Sequence, residues 1–160
     1  MSTLINVGIA DLNIALAPDI LATYALGSCV GICLFDAKSG VGGLAHIMLP
    51  WSTESARPSE NKRRYADTGI AELAGLMRSK GANFERVVAK IAGGAQMFAT
   101  NSNVFNIGER NVQAVKKVLA SYKIPIIAEQ TGENFGRTVF FDSTTGLMKV
   151  KSATRSDIVL

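Results

Sequence analysis

Two thiols and one imidazole are the side chains of this sequence best suited to covalent chemistry. Cys29 and Cys33 stand four residues apart in "LATYALGSCVGICLFD", and the single histidine, His46, follows in "GGLAHIMLP". A cysteine attacks as its thiolate, and with a free pKa of about 8.5 it needs a neighbouring base or local positive potential to become one. Cys29 has the better setting. Gly27 and Ser28 precede it, so the backbone can approach a substrate closely and aim N–H groups at a developing oxyanion. Cys33, inside "ICLF", reads as a small hydrophobe. A third group should hold the imidazole tautomer, as in triads generally. Thr23, six residues before Cys29, offers a hydroxyl for this, and Asp36 and Asp67 are alternatives.

The elements around these residues decide whether they can meet. "CVGICLFD" is a nearly continuous apolar run that ends at the turn "DAKSG", and "VGGLAHIMLP" stops at Pro50. The pair predicts a hairpin whose strands are buried on both faces. With its turn near Asp36–Gly42, the start of one strand lies beside the end of the other. Cys29 and His46, seventeen residues apart, can then meet across the ladder. Plainer readings stand beside this one. A lone cysteine in an apolar strand is ordinarily packing, a lone histidine is often a hydrogen-bonded core residue, and threonine is common in any strand. Cys29, Cys33 and His46 could instead hold a metal, but three ligands without an obvious fourth make a weak zinc pattern. Nor is C-x-x-x-C the C-x-x-C spacing of disulfide exchange.

Composition sets the frame. With 160 residues, 48% hydrophobic and 19% charged, the chain suffices for one cored domain, read as residues 1–160 without repeat or linker. Its net charge of +4 suits an acidic protein partner at least as well as nucleic acid, and no run interleaves aromatics with dense basic residues as an RNA-binding sheet would. The N-terminus lacks the pattern of a signal peptide, and no apolar stretch is long enough to cross a bilayer. The expected setting is the cytoplasm, where both thiols stay reduced.

Alternation over residues 5–16 predicts one or two short strands. A helix is expected from about Ser59 to Lys80, capped by Ser59 and stopped by Gly81, with an apolar stripe through Tyr65, Ile70, Leu73, Leu76 and Met77. "RVVAKIAGGAQMF" reads as a strand entering a glycine turn, and "IGERNVQAVKKVLASYKIP" as a second amphipathic helix with Glu109 answering its N-terminal dipole. "IPIIAEQTG", "RTVFFD" and "LMKVK" are closing strands. Strand clusters broken by two long helices indicate an α+β fold. "GGAQMF", Gly93 to Phe98, either borders a substrate groove or makes a tight turn plus two core side chains. "NKRR", residues 61–64, reads as a solvated helix face that could also meet acidic helices. Trp51 is either a core plug or part of a site rim.

"LGSCVGICLFD" followed by "GGLAHIMLP" resembles the paired motif of the chemoreceptor glutamine deamidase family, CheD. The likeness continues in order through "RRYADTGI", "IAGGAQMF", "IGERN" and "TGENFGRTVFFDSTTGLMKVK", across most of the chain. The resemblance implies a cysteine hydrolase that converts glutamine side chains of methyl-accepting chemotaxis receptors to glutamate, with receptor methylesterase activity as a secondary expectation. Carried over by motif, Cys29 is the nucleophile, His46 the base and Thr23 the orienting residue; the reading of the residues themselves adds Ser28, Gly27, Gly93 and Gly94 as candidates around the oxyanion and substrate. The resemblance also implies packed mixed sheets flanked by helices, as in bacterial toxin deamidases, and no metal or organic cofactor. The implied partners are the cytoplasmic domains of the receptors and a CheC-type phosphatase of CheY. A regulatory binding role, with catalysis secondary, is the alternative.

Overall fold

The alternating N-terminal segment forms two strands, β1 (Leu4–Val7) and β2 (Asp11–Leu16), in a computed structural model that describes residues 1–56, 60–97 and 106–160. The two go to different sheets. β1 pairs in parallel with β3 (Ile20–Leu26), and the first sheet continues through β8 (Arg137–Asp142), β9 (Met148–Lys151) and β10 (Ile158–Val159). The second sheet runs β2-β5-β4-β6-β7, with β4 (Val30–Asp36), β5 (Val41–Ile47), β6 (Val88–Gly93) and β7 (Ile126–Thr131). Among the described residues two α-helices complete the α+β fold, α1 (Ala66–Ser79) and α2 (Ile107–Ser121). α2 carries the chain from β6 to its parallel neighbour β7, the kind of crossover that parallel pairing requires.

The predicted hairpin is β4–β5, antiparallel from Val30↔Ile47 to Asp36↔Val41 and buried throughout. Its continuous apolar character follows from two cores. Val30, Ile32 and Leu34 of β4, with Ala45 and Ile47 of β5, pack under Ile70, Leu73 and Met77 of α1 and Val115 and Leu119 of α2. Cys33, Phe35 and Leu44 point the other way, to Leu21, Leu26, Val139, Phe141 and Met148 between the sheets. The paired glycines of β5 serve one layer each. A Cβ on Gly42 would lie 2.9 Å from the Phe141 ring, and one on Gly43 2.7 Å from Leu73.

Three sequence expectations change here. α1 starts at Ala66, seven residues later than expected. The Met48 and Leu49 N–H groups donate to the Arg64 carbonyl, and a bridge from Leu49 to Tyr65 holds Tyr65 extended. Ser59, its expected cap, lies outside the described residues. "NKRR" is not a solvated helix face. Lys62–Arg64 form a 3-10 turn, and Arg63 forks onto Glu72 and reaches Asp11 at 2.6 Å, joining that turn to α1 and β2. Finally, residues 20–26, which show no clear alternation, form the strand β3. Its pattern is broken by a bulge between Thr23 and Leu26, where Ala25 takes a φ of 59°.

Candidate active site

Strand parity brings Cys29 and His46 to one face. In the ladder Gly31 lies opposite His46. Cys29 precedes Gly31 by two, so its side chain points the same way, and it packs against the core between the sheets. Such diagonal neighbours stand about 7–8 Å apart at the backbone, within reach of side chains. The Gly31 between them must be small, because a Cβ there would sit 3.2 Å from Leu26 and 3.7 Å from the Thr23 methyl. The opposing β3 therefore presses against β4 at this point and delivers Thr23 to His46.

The hydrogen bonds define the imidazole. Thr23 Oγ1 lies 2.7 Å from the Val7 carbonyl oxygen and 2.7 Å from His46 Nδ1. A hydroxyl has one proton, and the carbonyl can only accept, so Thr23 donates to Val7 and accepts from Nδ1–H. The lone pair is thereby left on Nε2, which is buried and has no partner among the described residues. Burial lowers the His46 pKa to about 4, so the ring is neutral at pH 7. The Cys29 thiol is half-buried. Desolvation raises its pKa, and its own backbone N–H offsets part of that rise. At neutral pH a thiol and a neutral imidazole share this face, with no hydrogen bond between them among the described residues.

The Cys29 loop is held by the glycine turn after β6. Gly94 N–H donates to the Cys29 carbonyl at 2.8 Å, and Ala95 N–H to the Gly27 carbonyl at 2.9 Å. Gly93 adopts a φ of 109°, and a Cβ on it would collide with the Cys29 carbonyl oxygen. Gly27 N–H is bonded to the Ala25 carbonyl. The N–H groups of Gly27 and Gly94 are thus spent inside the protein. Among the described residues, the Ser28 N–H has no acceptor, and the Cys29 N–H faces its own sulfur. Met97, 46% exposed, lies over Gly27 and borders the loop; Phe98 lies outside the described residues. Trp51 packs on the helix-side core.

The other candidates are placed elsewhere. Asp36 is bonded to Arg86 and to the Asn83 N–H at the far end of β4, and Asp67 to Ser52. Neither reaches His46. Cys33 is buried, its sulfur 3.6 Å from that of Met148, and burial drives its pKa far up. Four residues along a strand put the two cysteines about 13 Å apart, too far for a disulfide. Among the described residues no cluster of three ligating side chains could hold a metal. One contributor lay outside the sequence reading. Asn111, in "IGERN" on α2, is fully buried and donates from Nδ2 to the carbonyls of Ser28 and Met48, each at 2.9 Å.

These features describe a two-sheet α+β protein with a thiol and a neutral imidazole on one inter-sheet face. The chain belongs to the CheD family, described as CheD chemotactic sensory transduction, whose model matches residues 48–152. A relative from Caldanaerobacter subterraneus subsp. tengcongensis is 51% identical over 153 residues, 94% of each chain. One from Clostridium tetani is 49% identical over 149 residues, 92% of this chain and 90% of the relative. Both carry the name "Probable chemoreceptor glutamine deamidase CheD". Among solved structures, a Neisseria meningitidis protein of the DUF152 family gives a TM-score of 0.48 at 9% identity, over 81% of this chain and 64% of that one. The hypothetical protein YfiH of Bacillus licheniformis gives 0.42 at 16% identity, over 70% and 46%.

Proposed function

We propose that this chain is a protein-glutamine deamidase acting on the cytoplasmic domains of methyl-accepting chemotaxis receptors, with Cys29 as nucleophile, His46 as base and Thr23 as orienter. The observation that carries it is His46 Nε2, without a partner among the described residues, which the Thr23 hydrogen bond leaves as a lone pair on the face that Cys29 shares. The names of the relatives supply the substrate class.

The neutral pair sets the order of events. Nε2 takes the thiol proton as the sulfur attacks the glutamine side-chain carbonyl carbon, and the C–S bond forms with the charge passing to oxygen. The N–H groups of Ser28 and Cys29 are the donors available to that oxyanion. Imidazolium then returns its proton to the nitrogen as the C–N bond breaks and ammonia leaves. Water, deprotonated by the same Nε2, attacks the thioester and releases glutamate and the thiol. A glutamate methyl ester would follow the same route with methanol as leaving group. None of these steps calls for a metal or organic cofactor.

The test is incubation with a purified receptor cytoplasmic fragment, read by peptide mass spectrometry for Gln-to-Glu conversion and by ammonia release. Conversion by the parent and none by Cys29→Ala is expected; equal conversion by both rejects Cys29 as nucleophile. A CheC-type phosphatase is the proposed second partner. Full rescue of taxis by Cys29→Ala in cells would assign the biological role to that binding instead.

A further inference from the structure

We infer that Asn111 is a positioning residue of this reaction: its carboxamide fixes the Cys29 loop against the end of the His46 strand. The inference rests on the reading of Cys29 and His46 as the reacting pair. The β4–β5 ladder has its last rung at Val30↔Ile47. Beyond it the two chains are free to part, and it is there that Cys29 must keep its distance from His46. Asn111 Nδ2 spans this gap, giving one proton to the Ser28 carbonyl and one to the Met48 carbonyl. Ser28 directly precedes the nucleophile, and Met48 follows the base by two residues. One side-chain amide thus takes the place of the missing rung.

A primary amide suits this task because it carries two donors at a fixed angle. The opposite orientation would set Oδ1 against two carbonyl oxygens, so the network fixes which atom faces them. Oδ1 itself is buried and without a partner among the described residues, as is His46 Nε2. An apolar residue would have avoided that orphan, so the position is held for its donors. The helix is seated to match. A Cβ on Gly108, one turn earlier, would meet the carbonyl oxygens of Gly94 and Ala95, the residues whose N–H groups hold Cys29 and Gly27. The first turn of α2, the glycine turn and the nucleophile loop form one unit, and Asn111 ties it to β5.

The test is Asn111→Asp, assayed on the receptor fragment from pH 8 to pH 5.5, with thermal unfolding to establish that the assayed protein is folded. Ionised, the aspartate sets two oxygens against two carbonyls; protonated, it remakes one contact. Burial beside carbonyl oxygens raises its pKa, so the protonated form gains as pH falls. A misplacement of about 1 Å can cost about a hundredfold in rate. The expected result is kcat down about a hundredfold at pH 8 with KM within about twofold of the parent, and a deficit of only about tenfold at pH 5.5. Asn111→Ser, with one proton to give, should show a deficit of about tenfold that does not vary with pH.

A residue that only supported the fold would lower the melting temperature and leave kcat of the folded protein unchanged. Parental kcat at every pH in a folded variant overturns the inference; should the aspartate variant not fold, the serine variant decides alone. Cys29→Ala in the same assay separates the failures. If it is inactive while the Asn111 variants match the parent, this inference falls alone. If it is fully active, the reading of Cys29 falls and takes this inference with it.

Discussion

Thr23 Oγ1 stands 2.7 Å from His46 Nδ1 because β3, in one sheet, lies across β5, in the other, and the Val7 carbonyl fixes the direction of that hydrogen bond. The contact that sets the His46 tautomer is therefore made between the sheets, not within the hairpin. Replacing Thr23 with valine keeps the shape and removes the acceptor, so the proton is no longer held on Nδ1. We expect kcat to fall about a hundredfold, the lower end of what a positioned general base contributes. The chain has one histidine, so a nitrogen-resolved NMR spectrum reports its tautomer directly. The parent should show Nδ1–H at pH 7. A parent spectrum with the proton on Nε2 would contradict the assignment of His46 as base.

The low pKa of His46 moves the acid limb of activity. Burial holds the ring neutral down to about pH 4, so kcat/KM should stay level through pH 6 and 5 and fall tenfold per unit only below about 4. Stability follows the same group with a defined sign. The unfolded histidine binds its proton near pH 6.5 and the folded one near 4, so the unfolded state carries more protons between those values. Stability contributed by the neutral ring is complete above about pH 6.5 and is lost progressively as pH falls towards 4, by about 3 kcal/mol in all. Urea unfolding at pH 7 and pH 4.5 measures the loss. An acid limb near pH 6.5 would show that the ring titrates as in water.

How far the site could be read from the sequence depends on where each contact is made. The β4–β5 hairpin was legible because burial on both faces writes a continuous apolar run, and parity within it sends Cys29 and His46 the same way. β3 was not, since the bulge after Thr23 breaks its period and the strand joins the other sheet. Spacing alone offered Thr23 as orienter with Asp36 and Asp67 as possible replacements, and could not decide among them. Only the packing of one sheet on the other separates them, and the carboxylates are committed to Arg86 and Ser52. Asn111 contacts Ser28 from 83 residues away and by a side chain on a helix. No periodicity records such a contact. The late start of α1 has a similar cause, a backbone bridge to Leu49 that overrides local helix propensity.

The glycine turn gives a prediction with an internal control. Gly93→Ala places a methyl in a left-handed conformation and against the Cys29 carbonyl. It should cost about 1–3 kcal/mol and displace the Cys29 loop, so activity and melting temperature fall together. Gly75 sits exposed in α1, where a Cβ meets nothing within 4 Å. Gly75→Ala should stabilise by about 0.5–1 kcal/mol and leave activity alone. A Gly93→Ala protein with parental kcat would show that the loop does not depend on this turn.

The Asp36–Arg86 pair predicts stability loss without loss of chemistry. Asp36 is buried, and the Arg86 guanidinium holds its carboxylate well below the usual carboxylate range, with the Asn83 N–H assisting. In the unfolded chain the group protonates at about 3.9, so as pH falls the unfolded state binds the proton first. The stability from this pair is full above that value and drains away as pH drops towards the folded pKa. Arg86→Ala should lower the melting temperature by several degrees at pH 7, and the gap to the parent should narrow by pH 3, where the parent loses what the variant already lacks. Asp36 lies five residues along β4 from Gly31, about 17 Å away, so kcat per folded molecule should match the parent. Equal melting temperatures at pH 7 would mean that the backbone donors of Asn83 and Lys38 hold the carboxylate unaided.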